Sequence, residues 1–207
     1  DGIYELDSNP LVHKYLGNNP ISTKKKAEEI VRFVQLQYKE RGIGRFATIE
    51  KETGHFIGWS GLKFNTGDKE LIGDKRDFYD IGYRIIPRYW GKGYATESSF
   101  ATLDFGFNEL NIETMCGAAE IDNIASNKVL QKIGLQYLEQ FPCDGELVNW
   151  YELKKEDFDF SAKQIFKGNF LFDNEEILTF YKKRPPNTKD PIHSCNQPIF
   201  ILKICFE

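Results

Sequence analysis

Arg88-Tyr89-Trp90-Gly91-Lys92-Gly93-Tyr94-Ala95-Thr96-Glu97-Ser98 is the stretch on which the reading of this 207-residue chain turns. It follows Phe78 to Ile86, an apolar and aromatic run that reads as a strand ended by Pro87. It precedes Phe100, Leu103, Phe107 and Leu110, whose steps of three, four and three put them on one face of a helix. Glycines two apart at a strand-to-helix junction let backbone N–H groups reach an anion, and the helix N-terminus adds partial positive charge. A phosphate-bearing ligand fits such a junction. Helix-end electrostatics supply up to about 2 kcal/mol, so several N–H bonds must share the binding. Because Gly93 follows Lys92, the G-x-x-x-x-G-K-[ST] phosphate loop is absent. A dinucleotide fingerprint needs a third glycine where Thr96 stands, and its acidic residue should end the next strand, whereas Glu113 begins one. A glycine turn that merely joins strand to helix is the plainer alternative, and what weighs against it lies elsewhere in the chain.

Working outward, Ala27, Ile30, Val34 and Tyr38 recur at helical spacing after Ser22 and Thr23, which can cap, and the pattern stops before Gly42. A shorter helical stretch around Gly2 to Leu6 is broken by Asn9-Pro10. Arg45 to Glu50 and His55 to Phe64 read as strands joined across Lys51 to Gly54, and Asn65 to Lys75 as a loop. Thr114 to Glu120 is extended. Ala125, Val129 and Ile133 line a helix that closes at Gly134, and Leu135 to Phe141 and Val148 to Leu153 are the next strands. After about Phe160 the composition changes, with Pro185, Pro186, Pro191 and Pro198 in the last 47 residues. Within that extension Glu175 to Lys182 looks helical, and Ile199 to Phe206 reads as a strand buried on both faces.

A net charge of −4, from 27 basic and 31 acidic residues, gives no general attraction to nucleic acid or to an anionic membrane. The longest apolar runs fall far short of the roughly 20 residues that span a bilayer, so a soluble, cytoplasmic chain without a leader is expected. Cys116, Cys143, Cys195 and Cys205 form no CxxC pair and have only His13, His55 and His193 for company, so no metal site is expected and the thiols are read as reduced.

The RYWGKG hexapeptide at Arg88 to Gly93 resembles the R/Q-x-x-G-x-G/A pyrophosphate loop of GNAT acetyltransferases, and GYATES resembles its continuation in the RimJ/RimL-like branch. Asp122-Asn123-Ile124-Ala125-Ser126-Asn127-Lys128-Val129-Leu130-Gln131-Lys132-Ile133-Gly134-Leu135 is similar to that branch's N-x-x-S-x-x-V-L-x-K-x-G-F/L element. SNPLVHKYLG and ETGHFIGWSGL add to the likeness, which spans about Gly2 to Asp157.

The resemblance implies an α/β fold, a mixed and mostly antiparallel sheet with helices on both faces and a splayed parallel strand pair that admits pantetheine. Those two strands would be Asp80 to Ile86 and Thr114 to Glu120. It implies acetyl transfer from acetyl-CoA to a primary amine, either a protein N-terminal α-amine or a small-molecule amine. A catalytically silent acyl-CoA-binding module is the alternative. Cofactor contacts would fall on Ile86, Arg88, Trp90, Gly91, Lys92, Gly93, Tyr94, Ala95, Thr96, Asn123 and Ser126. The position of Asn123 also suits a helix N-cap, and the two roles are compatible. Ser126 would serve the departing thiolate and Glu120 the incoming amine, while N–H groups near Ile86 polarise the carbonyl. Many members carry a tyrosine acid where this chain has Leu130. Tyr137 reads as a packed strand aromatic, and so do most of Trp59, Tyr83, Tyr89, Trp90 and Trp150. Lys24-Lys25-Lys26 reads as a solvated first helical turn. GNAT domains open with a strand, whereas this chain opens on a helix. We therefore expect residues 1–160 to form the acetyltransferase domain and 161–207 an extension whose Ile199 to Phe206 fills the vacant sheet position, in its own subunit or by exchange in a homodimer.

Overall fold

A computed structural model describes residues 1–158 and 199–203. The elements run α1 (Gly2–Asp7), α2 (Pro10–His13), α3 (Lys24–Arg41), β1 (Arg45–Glu50), β2 (Phe56–Asn65) and β3 (Phe78–Ile85), then a 3-10 turn at Pro87–Tyr89. They continue with α4 (Tyr94–Asp104), a π-helical turn at Phe105–Glu109, β4 (Thr114–Glu120), α5 (Ile124–Lys132), β5 (Gln136–Cys143), β6 (Glu146–Lys154) and β7 (Ile199–Lys203). Local chemistry explains the boundaries. The Thr23 hydroxyl accepts the Lys26 N–H at the start of α3, and Gly42 ends that helix in the left-handed conformation. Asn9 caps α2 by accepting the Leu11 N–H, with Pro10 at the first helical position.

The seven strands form one sheet in the order β5-β6-β4-β3-β2-β1-β7. Every pairing is antiparallel except β3 with β4, which run parallel and pair only at Tyr79 with Met115 and Asp80 with Cys116. Beyond that point β3 stays paired to β2 as far as Ile85, and β4 stays paired to β6 as far as Glu120. Each strand therefore follows its own half of the sheet, and a wedge opens between them. Asp80 marks the start of the wedge, held by Arg45, whose Nη2 donates to Asp80 Oδ2 at 2.6 Å and whose Nη1 also bonds the Gly61 carbonyl. Burial pushes the Asp80 carboxyl up, against the pull of the guanidinium.

One sheet face carries Leu62, Ile81, Met115, Tyr151 and Leu153, buried against Leu103 and Phe107 from the α4 segment and Leu130 and Ile133 from the α5 segment. Ser60 meets Thr102 of α4 at 3.2 Å on that face. One residue along, Trp59 pairs with Arg84 on the opposite face, where Asp7 at the end of α1 accepts from Arg84 at 2.7 Å. Helices thus lie on both faces, as expected. β7 pairs antiparallel with β1, Phe46 opposite Lys203 and Glu50 opposite Ile199. The expected helix at Glu175 to Lys182, the boundary near residue 160 and residues 204–207 lie outside the described residues.

Candidate active site

The glycine-rich segment begins where β3 ends. Trp90 is extended, Gly91 has φ of +75° and Gly93 has φ of +89° and stands as the N-cap of α4. Both glycines occupy backbone conformations that a side chain disfavours, and a Cβ at either would meet only open space. Glycine is therefore required by the turn itself, and the turn leaves room above it. No side chain caps α4, whose first helical bond is from the Glu97 N–H to the Gly93 carbonyl at 3.0 Å. The N–H groups of Tyr94, Ala95 and Thr96 precede that bond and have no intrahelical partner, which leaves an array of donors at the positive end of the helix. Arg88 and Lys92 lie over the Tyr89 ring at 4.9 and 5.2 Å. Arg88 also pairs with Glu5 of α1, so Lys92 is the less neutralised cation. The Trp90 indole donates to the Ile85 carbonyl at 2.6 Å while half its surface stays exposed, so of the five aromatics Trp90 is the one outside the core, whereas Tyr89 and Trp150 are buried in it.

Across the wedge stands the β4–α5 junction. Asn123 is the N-cap of α5 and its Oδ1 accepts the Ser126 N–H at 3.1 Å, so the capping role is real and its Nδ2 is left for other partners. Glu120 ends β4 half-buried, and burial, then Glu146 and Asp122, raises its carboxyl above the ordinary glutamate range. Leu130, at the position of the family's tyrosine acid, is buried under α5 and would touch a Cβ placed on Gly117 at 2.7 Å. Tyr137 is half-exposed and meets Tyr151 edge-on at 5.9 Å. At Ile86 the backbone is already bonded within the fold. Its N–H donates to the Ile57 carbonyl at 2.8 Å and its own carbonyl accepts from Tyr89, so its amide is not a free donor for a thioester.

The wedge, the uncapped glycine turn beside it and the capped helix opposite are a recognisable constellation. The model of the GNAT acetyltransferase domain matches residues 1–136. This chain belongs to the GNAT acetyltransferase family. The uncharacterized N-acetyltransferase p20 of Bacillus licheniformis is 32% identical over 136 residues, 66% of this chain and 72% of that protein. A GNAT-family acetyltransferase from Bacillus anthracis superposes with a TM-score of 0.60 at 24% identity, covering 75% of this chain and 88% of its own. Spermidine N-acetyltransferase from Vibrio cholerae, solved with CoA and spermine, gives 0.59 at 18% identity over 75% and 89%. The protein is thus an acetyltransferase of the GNAT type.

Two residues of this GNAT site carry no sequence motif of their own. Tyr83 projects from β3 on the α4 face, and its hydroxyl donates to the Ser126 carbonyl at 3.4 Å, bridging from one wall of the wedge to the other. Burial pushes its phenol up to about 12, so it stays a donor at any working pH. Asn127 is buried in the first turn of α5, just after Ser126. Tyr83 is a hydroxyl-bearing residue in an apolar strand and Asn127 one polar residue among several in its helix, and either gains meaning only when its partners are known.

Among the described residues no group of three or more His, Cys, Asp or Glu could hold a metal ion, and no helix is long and apolar enough to cross a membrane.

Proposed function

We propose that this acetyltransferase acts on a primary amine, with Glu120 as the base and Ser126 beside the departing thiolate. The observation that carries this reading is the half-buried Glu120 carboxylate at the open end of β4, raised above its ordinary pKa and without an ion-pair partner among the described residues. Only a neutral amine attacks the thioester carbon. At pH 7 a lysine amine near 10.4 costs roughly 4.6 kcal/mol to deprotonate, and an α-amine near 7.8 about 1 kcal/mol. An α-amine, as in the RimJ/RimL-like branch that the DNIASNKVLQKIGL element resembles, therefore asks least of a carboxylate base. Glu120 takes the amine proton through water as the C–N bond forms and the C–S bond breaks, and the thiolate leaves toward the Ser126 hydroxyl. A thiol near 8.5 leaves without a strong acid at neutral pH, so Leu130 in place of tyrosine is tolerated. The uncapped N–H groups of Tyr94 to Thr96, with Gly91, Lys92 and Gly93, hold the CoA pyrophosphate, and the Asn123 Nδ2 meets the pantetheine arm.

Calorimetric titration with acetyl-CoA, followed by a free-thiol release assay over α-amine peptides, lysine peptides and small amines, tests the reading. Turnover on a primary amine, fastest on α-amines, is expected. Binding of acetyl-CoA with no thiol release on any acceptor would overturn it in favour of a silent acyl-CoA module.

A further inference from the structure

Asn127 is a buried polar residue, 8% exposed, one turn into α5. Its Nδ2 donates to the Glu120 carbonyl at 2.9 Å and to the Asn123 carbonyl at 2.8 Å. Its Oδ1 accepts from the Tyr151 hydroxyl at 2.7 Å and from the Asn149 amide at 2.8 Å. An amide offers two donors and two acceptor sites, and all four are filled. The pattern also fixes the orientation of the amide, since reversing it would aim oxygen at two carbonyls and NH2 at an NH2.

The partners are what matter. Glu120 is the last residue of β4 and Asn123 is the cap that binds the Ser126 N–H, while Tyr151 and Asn149 lie on β6, the strand that holds β4 on the side away from the wedge. β4 has no strand beside it on the wedge side beyond Cys116, so its last residues and the turn to α5 are held by the β6 ladder on one side alone. Asn127 adds a side-chain tie to that one-sided ladder, joining the end of β4 and the start of α5 to Asn149 and Tyr151 of β6. We infer that Asn127 is the positioning residue of the site: it fixes the far wall of the wedge so that Glu120 and Ser126 keep their places as β3 diverges. This rests on the proposed roles of those two residues, and it adds a device that neither the loop nor the capping motif contains.

The test uses the full chain. Asn127→Ala and Tyr151→Phe, the latter removing one of the two anchors, are compared with the parent for acetyl-CoA Kd, kcat, KM for an α-amine peptide, pH profile, Tm and amide exchange. A misplacement of about 1 Å at a reacting group costs on the order of a hundredfold. Asn127→Ala is therefore expected to lower kcat by about tenfold to a hundredfold with acetyl-CoA Kd within about threefold. The acid limb of kcat/KM should move to lower pH as Glu120 gains solvent, and the amides of residues 121–126 should exchange faster. Tyr151→Phe should do the same more weakly, which covers the case in which Asn127→Ala fails to fold. Overturning results are a parent kcat and pH profile in both variants, or a loss matched entirely by weaker acetyl-CoA binding. Glu120→Gln is run in parallel: a parent rate there removes Glu120 as base, and Asn127 is then judged on kcat and amide exchange alone.

Discussion

The Tyr94 hydroxyl donates to Glu50 Oε1 at 2.6 Å, joining the first residue of the helix that follows the glycine turn to the last residue of β1. Glu50 also accepts from the Thr53 hydroxyl at 2.7 Å, and these two bonds hold its carboxyl below the usual range, while Tyr94 is pushed up to about 12. A carboxylate with a lowered pKa stabilises the fold above its unfolded value and loses that contribution as pH falls through the folded value. Tyr94→Phe should lower Tm at pH 7 and weaken acetyl-CoA affinity severalfold, because the α4 N-terminus loses its tether. The Tm difference from the parent should shrink at pH values acid enough to protonate Glu50. Equal Tm and Kd at pH 7 would show that the tether is idle.

At the turn itself, Gly93 at φ +89° and Gly91 at +75° need a conformation that valine resists. Gly93→Val should weaken acetyl-CoA binding at least about tenfold, near 1.4 kcal/mol, by moving the donors of Tyr94 to Thr96. Unchanged affinity in a folded variant would falsify the loop assignment.

Glu120 and Ser126 make separable predictions. Because the folded pKa of Glu120 is raised, the acid limb of kcat/KM should lie above the ordinary glutamate value, and Glu120→Gln should flatten it. Ser126→Ala should lower turnover on an α-amine peptide by about tenfold to a hundredfold with little change in acetyl-CoA affinity. If both variants turn over at the parent rate from about pH 6 to 9, catalysis rests on positioning alone.

β7 covers β1 across five residue pairs, Glu50 with Ile199 through Phe46 with Lys203. Truncation after Phe160 should leave that edge of the sheet unpaired and cause aggregation, followed by light scattering and by activity in the soluble fraction. A soluble, fully active truncate would show that the edge needs no cover.

What the sequence determined by itself was local and periodic. Thr23 and Gly42 bracket α3, Gly91 and Gly93 mark a turn only glycine makes easily, and Asn123 caps α5, because each depends on residues a few positions apart. Strand limits moved by a residue or two, as at Phe56 and Asn65, since pairing rather than composition ends a strand. Only the tertiary structure decided the rest. Ile86 loses its free N–H to Ile57, Tyr83 reaches Ser126 over 43 residues, and Asn127 finds Tyr151 24 residues away. A hydrogen-bonding group advertises its chemistry in the sequence, but whether it is spent on the fold or left for the substrate depends on which distant strand the sheet brings to it.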